Sequence, residues 1–218
     1  MRSSPWKKIV GLVFLASVCQ GVGAVASDDT APDPMLIQRC NACHYIDGKP
    51  TAEEFPRIAG QHELYLRKAM LKFKTMQRHG EVMAAISSLN NDEELLRLAS
   101  YYAKQAPAAS PAKPNSDPAL VAKGQQAFTT ERVYSIACVD CHGADAKGYI
   151  RKTPRTRGAR AIPSLAGQQP VYLKAMLSKY TGAGGGKPPQ AGMCGMRKAG
   201  KTLSVADVDA LVEFLSSR

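Results

Sequence analysis

Two short stretches of the chain share one pattern of reactive side chains. In each, two cysteines separated by two residues are followed at once by a histidine: Cys40-Asn41-Ala42-Cys43-His44 and Cys138-Val139-Asp140-Cys141-His142. Positions i and i+3 lie on one face of a helix, so both thiols of a copy can form thioethers to the vinyl groups of one haem. The adjacent histidine then lies under the iron as its proximal ligand. This pattern is the attachment signature of a c-type haem.

Two other kinds of site use cysteines at this spacing, a zinc ribbon and a thioredoxin-like redox pair. A zinc ribbon does not need a histidine directly after each cysteine pair, whereas both pairs have one here. We therefore predict two covalently bound haem c groups. The predicted thioether residues and proximal histidines are Cys40, Cys43, His44, Cys138, Cys141 and His142.

The sixth position of each iron decides between an electron carrier and an enzyme. A haem held only by its proximal histidine keeps an open position, whereas a second protein ligand closes it and favours electron transfer. The offset that aligns the final helical aromatic residues, Tyr101 and Phe214, also places Met83 on Met196. Methionine is ordinarily a core filler, but a methionine matched in both halves favours a ligand role. We predict Met83 and Met196 as the axial sulfur ligands.

Other candidate ligands lack a counterpart in the opposite half. Met76 aligns with a proline, and Met193 aligns with a glycine. His62 and His79 could close the first haem, but their repeat positions hold a glutamine and a glycine. We therefore interpret both histidines as solvated.

The elements that must position these residues form an internal repeat. Residues 55–61, with the sequence FPRIAGQ, match residues 162–168, with the sequence IPSLAGQ. A helix predicted over residues 91–104 begins with an asparagine N-cap and matches the C-terminal segment at a second constant offset. We find no segment that alternates apolar and polar residues as a strand does. The sequence thus predicts an all-α fold of two similar units, each small enough to need its haem as a core.

The first residues have the pattern of an export signal. Arg2, Lys7 and Lys8 precede an apolar run and the small-residue site Ala24-Val25-Ala26. The apolar run is too short to remain as a membrane-spanning helix. We predict cleavage after Ala26 and a periplasmic protein without a transmembrane anchor. A lipoprotein anchored through Cys19 is the alternative, although the preceding residues match a lipidation box poorly.

Composition divides the rest of the chain into two domains. The segment from 106 to 118 is rich in proline, alanine and serine, which is typical of an extended linker. The predicted order is therefore a cleaved signal peptide, a first domain, this linker and a second domain, over residues 1–26, 27–105, 106–118 and 119–218.

The net charge of +11 is unevenly distributed. Residues 27–110 hold 10 basic and 11 acidic residues, a net charge of −1, whereas residues 111–218 hold 16 and 7, a net charge of +9. A basic protein often binds nucleic acid, but an exported one rarely does. We therefore expect an acidic redox protein or an anionic membrane surface as the partner, and no nucleic acid.

Together these residues resemble the cytochrome c4 family. The resemblance rests on the two Cys-x-x-Cys-His motifs, the Pro-x-[Leu/Ile]-Ala-Gly-Gln segment of each half and the late methionines. It implies two tandem class I cytochrome c domains related by a pseudo-twofold axis, with their haem edges facing each other. It also implies that the backbone carbonyls of Pro56 and Pro163 accept the Nδ1–H of His44 and His142, which would fix both imidazole rings.

The sequence departs from the family pattern in three places. The first domain lacks the Gly-x-x-x-Phe of Gly124 and Phe128, and Tyr45 follows its motif where a glycine follows the second one. The loop before Pro163 is also longer than the loop before Pro56. That loop is either a solvated surface or a docking patch for an acidic redox partner. Its basic residues are Lys147, Arg151, Lys152, Arg155, Arg157 and Arg160.

We expect the chain to be a periplasmic electron carrier and not an enzyme. It would take single electrons from a quinol-oxidising complex or a periplasmic dehydrogenase and pass them to a terminal oxidase or reductase. The alternative is a di-haem sulfur-oxidising enzyme of the thiosulfate dehydrogenase type, or its electron-accepting subunit. Cys194 could favour that alternative as a thiolate ligand, but a free thiol or an intermolecular disulfide fits it as well. A fixed subunit of a larger complex also fits the sequence.

Overall fold

The computed structural model describes residues 32–108, 116–131, 136–153, 158–181 and 194–218. The predicted signal peptide, most of the predicted linker, Arg155 and Arg157 lie outside these ranges. The side chains of Lys152 and Cys194 are also outside the description. The predictions made for these residues therefore stay predictions.

The first half contains four described helices. Asp33 caps the first of them by accepting a hydrogen bond from the Met35 N–H, and a proline follows at the first helical position. Asn91 caps the last one in a capping box with Glu94, as the sequence predicts. The helices are α1 Pro34–His44, α2 Glu63–Lys74, α3 Glu81–Ser88 and α4 Asp92–Lys104.

The second half repeats this plan with one addition. Here the helix before the haem motif and the helix that carries it are separate elements. Ser204 and Asp207 form a capping box at the start of the C-terminal helix. The described helices are α5 Pro118–Thr129, α6 Cys138–His142, α7 Pro170–Thr181, α8 Cys194–Lys201 and α9 Val205–Ser216.

Helix positions follow the two offsets found in the sequence. The offset that aligns the two Ala-Gly-Gln segments places α2, over 63–74, on α7, over 170–181. The offset of the final helices places α3, over 81–88, on α8, over 194–201, and the start of α4 on the start of α9. The predicted repeat and its predominantly helical character are confirmed.

The core of the second half depends on a close helix crossing. Gly124 of α5 faces α9, where a Cβ atom would lie 2.0 Å from the Ala210 carbonyl oxygen. One turn later, the rings of Phe128 and Phe214 pack with their centroids 5.4 Å apart. The absence of a side chain at Gly124 therefore lets the backbones of α5 and α9 approach closely, and the phenylalanine packs beside this contact.

In the first half, α1 replaces this crossing with a smaller contact. Leu36 of α1 is buried together with Leu66 of α2 and Leu98, Ala99 and Tyr102 of α4. The same helix continues directly into the first haem motif. One short helix therefore serves as both packing element and haem carrier.

A two-stranded hairpin interrupts the helical pattern. Strands β1 Tyr149–Thr153 and β2 Gly158–Ile162 pair antiparallel, with Tyr149 opposite Ile162. The sequence predicts no strand at this place, so the hairpin is a local exception within the confirmed all-α fold class. The segment between the second motif and Pro163 is long, and a local ladder pairs backbone groups that would otherwise bind only water. The two strands are too short and too basic to show apolar alternation.

Candidate haem sites and the interface between the halves

Both motif histidines are buried at the end of their helices. His44 closes α1 and is 8% exposed, and His142 closes α6 and is 4% exposed. The Nδ1 atom of His44 lies 2.9 Å from the Pro56 carbonyl oxygen, and that of His142 lies 3.0 Å from the Pro163 carbonyl oxygen. A carbonyl oxygen can only accept, so Nδ1 must carry the hydrogen. Each Nε2 is thereby left as the unprotonated nitrogen, the form that binds a metal.

Burial keeps both imidazoles neutral. It lowers the pKa of His44 and of His142, and the hydrogen bond to the proline carbonyl opposes this effect only in part. A neutral imidazole retains the lone pair needed for ligation.

The residue after each histidine adopts a left-handed conformation. Gly143 has a φ of 75°, which glycine adopts without steric cost, and Tyr45 has a φ of 58°. The Tyr45 N–H still donates to the Asn41 carbonyl, and its hydroxyl lies 2.8 Å from the Thr51 Oγ1. Tyr45 therefore forms the same turn as Gly143, although it has a side chain where the family pattern has a glycine.

An apolar cleft in the second half brings the predicted ligands together. Cys138, His142 and Met196 all line it, and its empty volume is about 400 Å³ including the open mouth. The other lining residues are almost entirely hydrophobic: Phe128, Leu165, Leu177, Tyr180, Ala199, Gly200, Leu203, Leu211 and Leu215. An apolar cradle with a neutral histidine, a thiol and a thioether fits a covalently bound haem.

The predicted ligands of the first half occupy corresponding elements. Cys40, Cys43 and His44 lie in the last turns of α1, and both cysteines are partly buried. Met83 lies half-buried on α3, the helix that corresponds to α8 with Met196. Met83 and Met196 therefore occupy equivalent positions of the repeat, and both are partly buried.

The two discounted histidines differ from each other. His79 is exposed, as expected. His62 is only half-exposed, and its Nε2 lies 3.0 Å from the Lys147 carbonyl oxygen of the other half. The interpretation of His62 as a purely solvated side chain was therefore wrong, because it contributes to the interface.

A reciprocal pair of glutamines joins the two halves. Gln61 accepts from the Ser164 N–H at 2.9 Å and donates to the Ser164 carbonyl at 3.0 Å. Gln168 accepts from the Arg57 N–H at 2.7 Å and donates to the Arg57 carbonyl at 2.9 Å. Gln61 and Gln168 occupy the same position of the repeat, as do Arg57 and Ser164. Equivalent surfaces therefore meet about a pseudo-twofold axis, as in an isologous dimer.

In the sequence, these glutamines only mark the alignment of the repeat. Their function could have been suspected, because a polar residue kept at the end of both apolar repeat segments is unusual unless it has a buried partner. Gln61 and Gln168 are 7% and 8% exposed.

Arg78 breaks the symmetry of this interface. Its side chain is 5% exposed, and its guanidinium donates to the hydroxyls of Tyr65 at 3.2 Å and Tyr172 at 3.1 Å. The two tyrosines are repeat partners, but Arg78 comes from the first half alone. Burial raises the pKa of Tyr172 to about 12, so that phenol stays neutral at physiological pH. Among the residues that the structure describes, no carboxylate pairs with Arg78.

The hairpin also contacts the first half. Lys68 of α2 donates to the Ala159 carbonyl of β2. Arg151 and Arg160 face each other across the ladder, and both are exposed. The predicted docking loop is thus held against the first domain by its backbone. Two of its charges lie next to each other on the outer surface.

No described helix has the length and apolar character needed to cross a membrane.

Known proteins resemble this chain over most of its length. The cytochrome c family model matches residues 121–218. Cytochrome c4 of Thiocapsa roseopersicina is 32% identical over 200 residues, 90% of this chain and 95% of that protein. Cytochrome c4 of Pseudomonas aeruginosa is 32% identical over 159 residues, 72% of this chain and 73% of that protein.

A solved structure has the same architecture. The crystal structure of reduced recombinant cytochrome c4 from Pseudomonas stutzeri matches 86% of this chain and 99% of its own, with a TM-score of 0.69 and 25% identity. A thiosulfate dehydrogenase electron acceptor of Thiomonas intermedia is also similar, at 28% identity over 81% of this chain and 76% of that protein. The geometry and the comparisons agree. The chain belongs to the cytochrome c4 family, as a di-haem electron-transfer cytochrome rather than an enzyme.

Proposed function

We propose that this protein carries single electrons in the periplasm between a respiratory donor and a terminal oxidase or reductase. The donor would be a quinol-oxidising complex or a periplasmic dehydrogenase. The observation that carries the proposal is the apolar cleft shared by Cys138, His142 and Met196. With a haem in that cleft, Met196 would close the sixth position of the iron to a substrate.

Each predicted ligand has one role in this proposal. Cys40, Cys43, Cys138 and Cys141 would form the thioethers, His44 and His142 would be the proximal ligands, and Met83 and Met196 would close the irons. A c-type haem supplies reversible one-electron exchange at its iron when bound. The Pro56 and Pro163 carbonyls orient the imidazoles, and the apolar lining excludes water.

The periplasmic location rests on the sequence and on the family. We propose a signal peptide over residues 1–26 with cleavage after Ala26, then domains over 27–105 and 119–218 joined by the linker 106–118. Separate hydrophobic clusters in the two halves support the division into domains. N-terminal sequencing of the exported protein would test the cleavage site.

An optical spectrum of the purified holoprotein tests the carrier proposal. We expect two c-type haems, both low-spin, with the weak far-red ferric band of methionine ligation. The ferrous form should not react with carbon monoxide, because both irons are closed. A high-spin haem that binds carbon monoxide would overturn the proposal.

We propose that the basic hairpin is the docking site for an acidic redox partner. Arg151 and Arg160 are directly opposite each other on exposed strand positions, an arrangement that is destabilising by itself. An acidic partner would remove this repulsion on binding. The charge of +9 over residues 111–218 would attract such a partner from a distance.

Small oxidants of opposite charge can test docking without knowledge of the natural partner. The double substitution of Arg151→Gln and Arg160→Gln should slow oxidation by ferricyanide, an anion, and weaken the salt dependence of that rate. Oxidation by a cationic cobalt complex should not slow. The matched control is the double substitution of Lys123→Gln and Lys174→Gln, because it also removes two exposed positive charges but leaves the hairpin unchanged. Equal effects of both variants on ferricyanide would contradict the docking site.

The similarity to a thiosulfate dehydrogenase electron acceptor favours a more specific donor. In this second proposal a separate thiosulfate dehydrogenase reduces the chain. Thiosulfate alone should then leave the ferric protein oxidised, and thiosulfate with that enzyme should reduce it. Reduction by thiosulfate alone would instead indicate an enzyme. In that case Cys194→Ser, if it changed the spectrum, would identify a thiolate ligand.

A further inference from the structure

One peptide group links His44 to a glutamine of the opposite half. The Pro56 carbonyl and the Arg57 N–H belong to the same peptide group. The carbonyl oxygen lies 2.9 Å from the His44 Nδ1, and the N–H donates to the Gln168 Oε1 at 2.7 Å. Gln168 lies beyond the interface, in the second half.

The same arrangement occurs around His142. The Pro163 carbonyl oxygen lies 3.0 Å from the His142 Nδ1, and the Ser164 N–H of that peptide group donates to the Gln61 Oε1 at 2.9 Å. Gln61 belongs to the first half. Each imidazole is thus separated from a glutamine of the other half by one peptide group.

Each imidazole, peptide group and glutamine forms a hydrogen-bond chain, and the direction of every bond in the two hydrogen-bond chains is fixed. The proline carbonyls can only accept, so each imidazole donates through Nδ1. Each glutamine Nε2 donates to the carbonyl of the residue whose N–H its Oε1 accepts, Arg57 or Ser164. An inverted amide would place oxygen against oxygen. Both chains therefore run from imidazole N–H to peptide carbonyl, and from peptide N–H to glutamine oxygen.

Hydrogen bonds arranged in this way strengthen each other. A peptide group that donates through its N–H carries more negative charge on its carbonyl oxygen, and such polarisation strengthens each hydrogen bond by about 10–30%. A stronger acceptor at Nδ1–H makes the imidazole a more basic ligand through Nε2. Both glutamines are buried, so water does not readily replace their oxygen atoms.

We propose that Gln61 and Gln168 are positioning residues that act across the interface, each strengthening the hydrogen bond to the proximal histidine of the opposite half. The packing of the two domains then influences the ligand strength of both histidines. This inference rests on the proposed assignment of His44 and His142 as proximal ligands.

Gln169 provides a matched control. Its Nε2 donates to the Pro50 carbonyl at 2.6 Å, and its side chain is 3% exposed. This bond also crosses the interface, but the Nδ1 atoms of His44 and His142 bond to other carbonyls than that of Pro50. Gln169→Met therefore removes an interface hydrogen bond and leaves both hydrogen-bond chains intact.

The test uses the full holoprotein with Gln61→Met, Gln168→Met or Gln169→Met. NMR-monitored redox titration gives the midpoint potential of each haem, and the ring N–H resonances of ¹⁵N-labelled histidines in the ferrous state report each Nδ1–H bond. We expect a crossed effect. Gln61→Met should raise the potential of the second-half haem and move the His142 ring-proton resonance upfield, because a less basic imidazole stabilises ferric iron less.

Gln168→Met should produce the same changes at His44 and the first-half haem, and Gln169→Met should change neither. Gln61→Glu keeps an oxygen acceptor and adds negative charge, so it should lower the second-half potential. An effect on the haem of the same half, or equal effects of all three methionine variants, would overturn the inference. So would unchanged resonances and potentials in properly folded variants.

Failure of the proposed function would look different. The unsubstituted protein would then contain a high-spin haem that binds carbon monoxide, whatever the glutamine variants do. The ring-proton resonances can be measured without a redox partner. They therefore test the two hydrogen-bond chains independently of electron delivery.

Discussion

The two halves of this molecule hold their haem motifs alike and differ in the packing and the charge around them. In both, the histidine donates to a proline carbonyl, and a methionine lies on the short helix before the last one. The second half adds a separate helix packed through Gly124 and a basic hairpin. The first half adds the buried Arg78.

The difference indicates which parts of the repeat are constrained. Ligand geometry tolerates little change, because a haem iron needs its donors at fixed positions. The scaffold that supplies the donors can vary, since any apolar surface can back a porphyrin. The two halves therefore differ mainly in packing and in charge. The net charge is −1 for residues 27–110 and +9 for residues 111–218.

Removing each methionine in turn gives the largest expected effect. Met83→Ala and Met196→Ala should each open one iron, so that one haem binds carbon monoxide and about half of the far-red ferric band disappears. The affected potential should fall, because thioether ligation favours ferrous iron. Optical titration with carbon monoxide measures both sites.

Met76→Ala is the control for these variants, because Met76 is 64% exposed and has no repeat partner. It should leave the spectrum unchanged. If Met83→Ala had no optical effect while Met196→Ala did, the two halves would differ in ligation, and the equivalence inferred from the repeat would be wrong.

A methyl group at Gly124 should destabilise the second half alone. In Gly124→Ala the new Cβ would lie 2.0 Å from the Ala210 carbonyl oxygen, so α5 and α9 must separate. We expect a loss of about 3 kcal/mol in the free energy of unfolding. Denaturant unfolding of the holoprotein, followed by circular dichroism, would measure it. Lys123→Ala, at an exposed position of the same helix, should have little effect.

Replacing Arg78 tests the asymmetric element of the interface. Arg78→Met leaves the hydroxyls of Tyr65 and Tyr172 without their charged donor. The free energy of unfolding should fall by about 2 kcal/mol. The control is Arg67→Met, because Arg67 is exposed on α2. Equal stabilities of the two variants would show that the buried cation does not contribute to the packing of the halves.

The last expected effect is absent at physiological pH and appears only in alkaline solution, because it depends on a tyrosine in the cleft of the second half. Burial raises the pKa of Tyr180 to about 12, whereas its repeat partner Phe73 has no hydroxyl. A raised pKa favours the neutral phenol in the folded state. Its contribution to stability is therefore complete below the unfolded value of about 10 and is lost as the pH rises to about 12.

Tyr180→Phe should make the two halves alike in this respect. The free energy of unfolding of the unsubstituted protein should decrease between pH 10 and pH 12 more steeply than that of the variant. Parallel curves would show that Tyr180 ionises normally. Tyr45→Phe, at an exposed tyrosine, is a suitable control.

Sequence reasoning predicted the repeat well and the interface poorly. The two constant offsets between the halves relate the ends of α2 and α3 to those of α7 and α8, because caps, apolar spacing and motifs are local properties of the chain. The hairpin was missed because its stability comes from backbone pairing rather than from apolar alternation. His62 was assigned to solvent because its partner lies 85 residues away.

The sequence by itself determined the chemistry of this protein. The residue types and their short or repeated spacings predict haem attachment, the histidine candidates and the methionine candidates. Both the residue types and the spacings can be taken directly from the sequence. Only the tertiary structure decided how the halves meet. Gln61 and Gln168 contact peptide groups of the opposite half, and Arg78 joins tyrosines from both halves. Such contacts depend on how two folded surfaces fit together, and no local pattern encodes that.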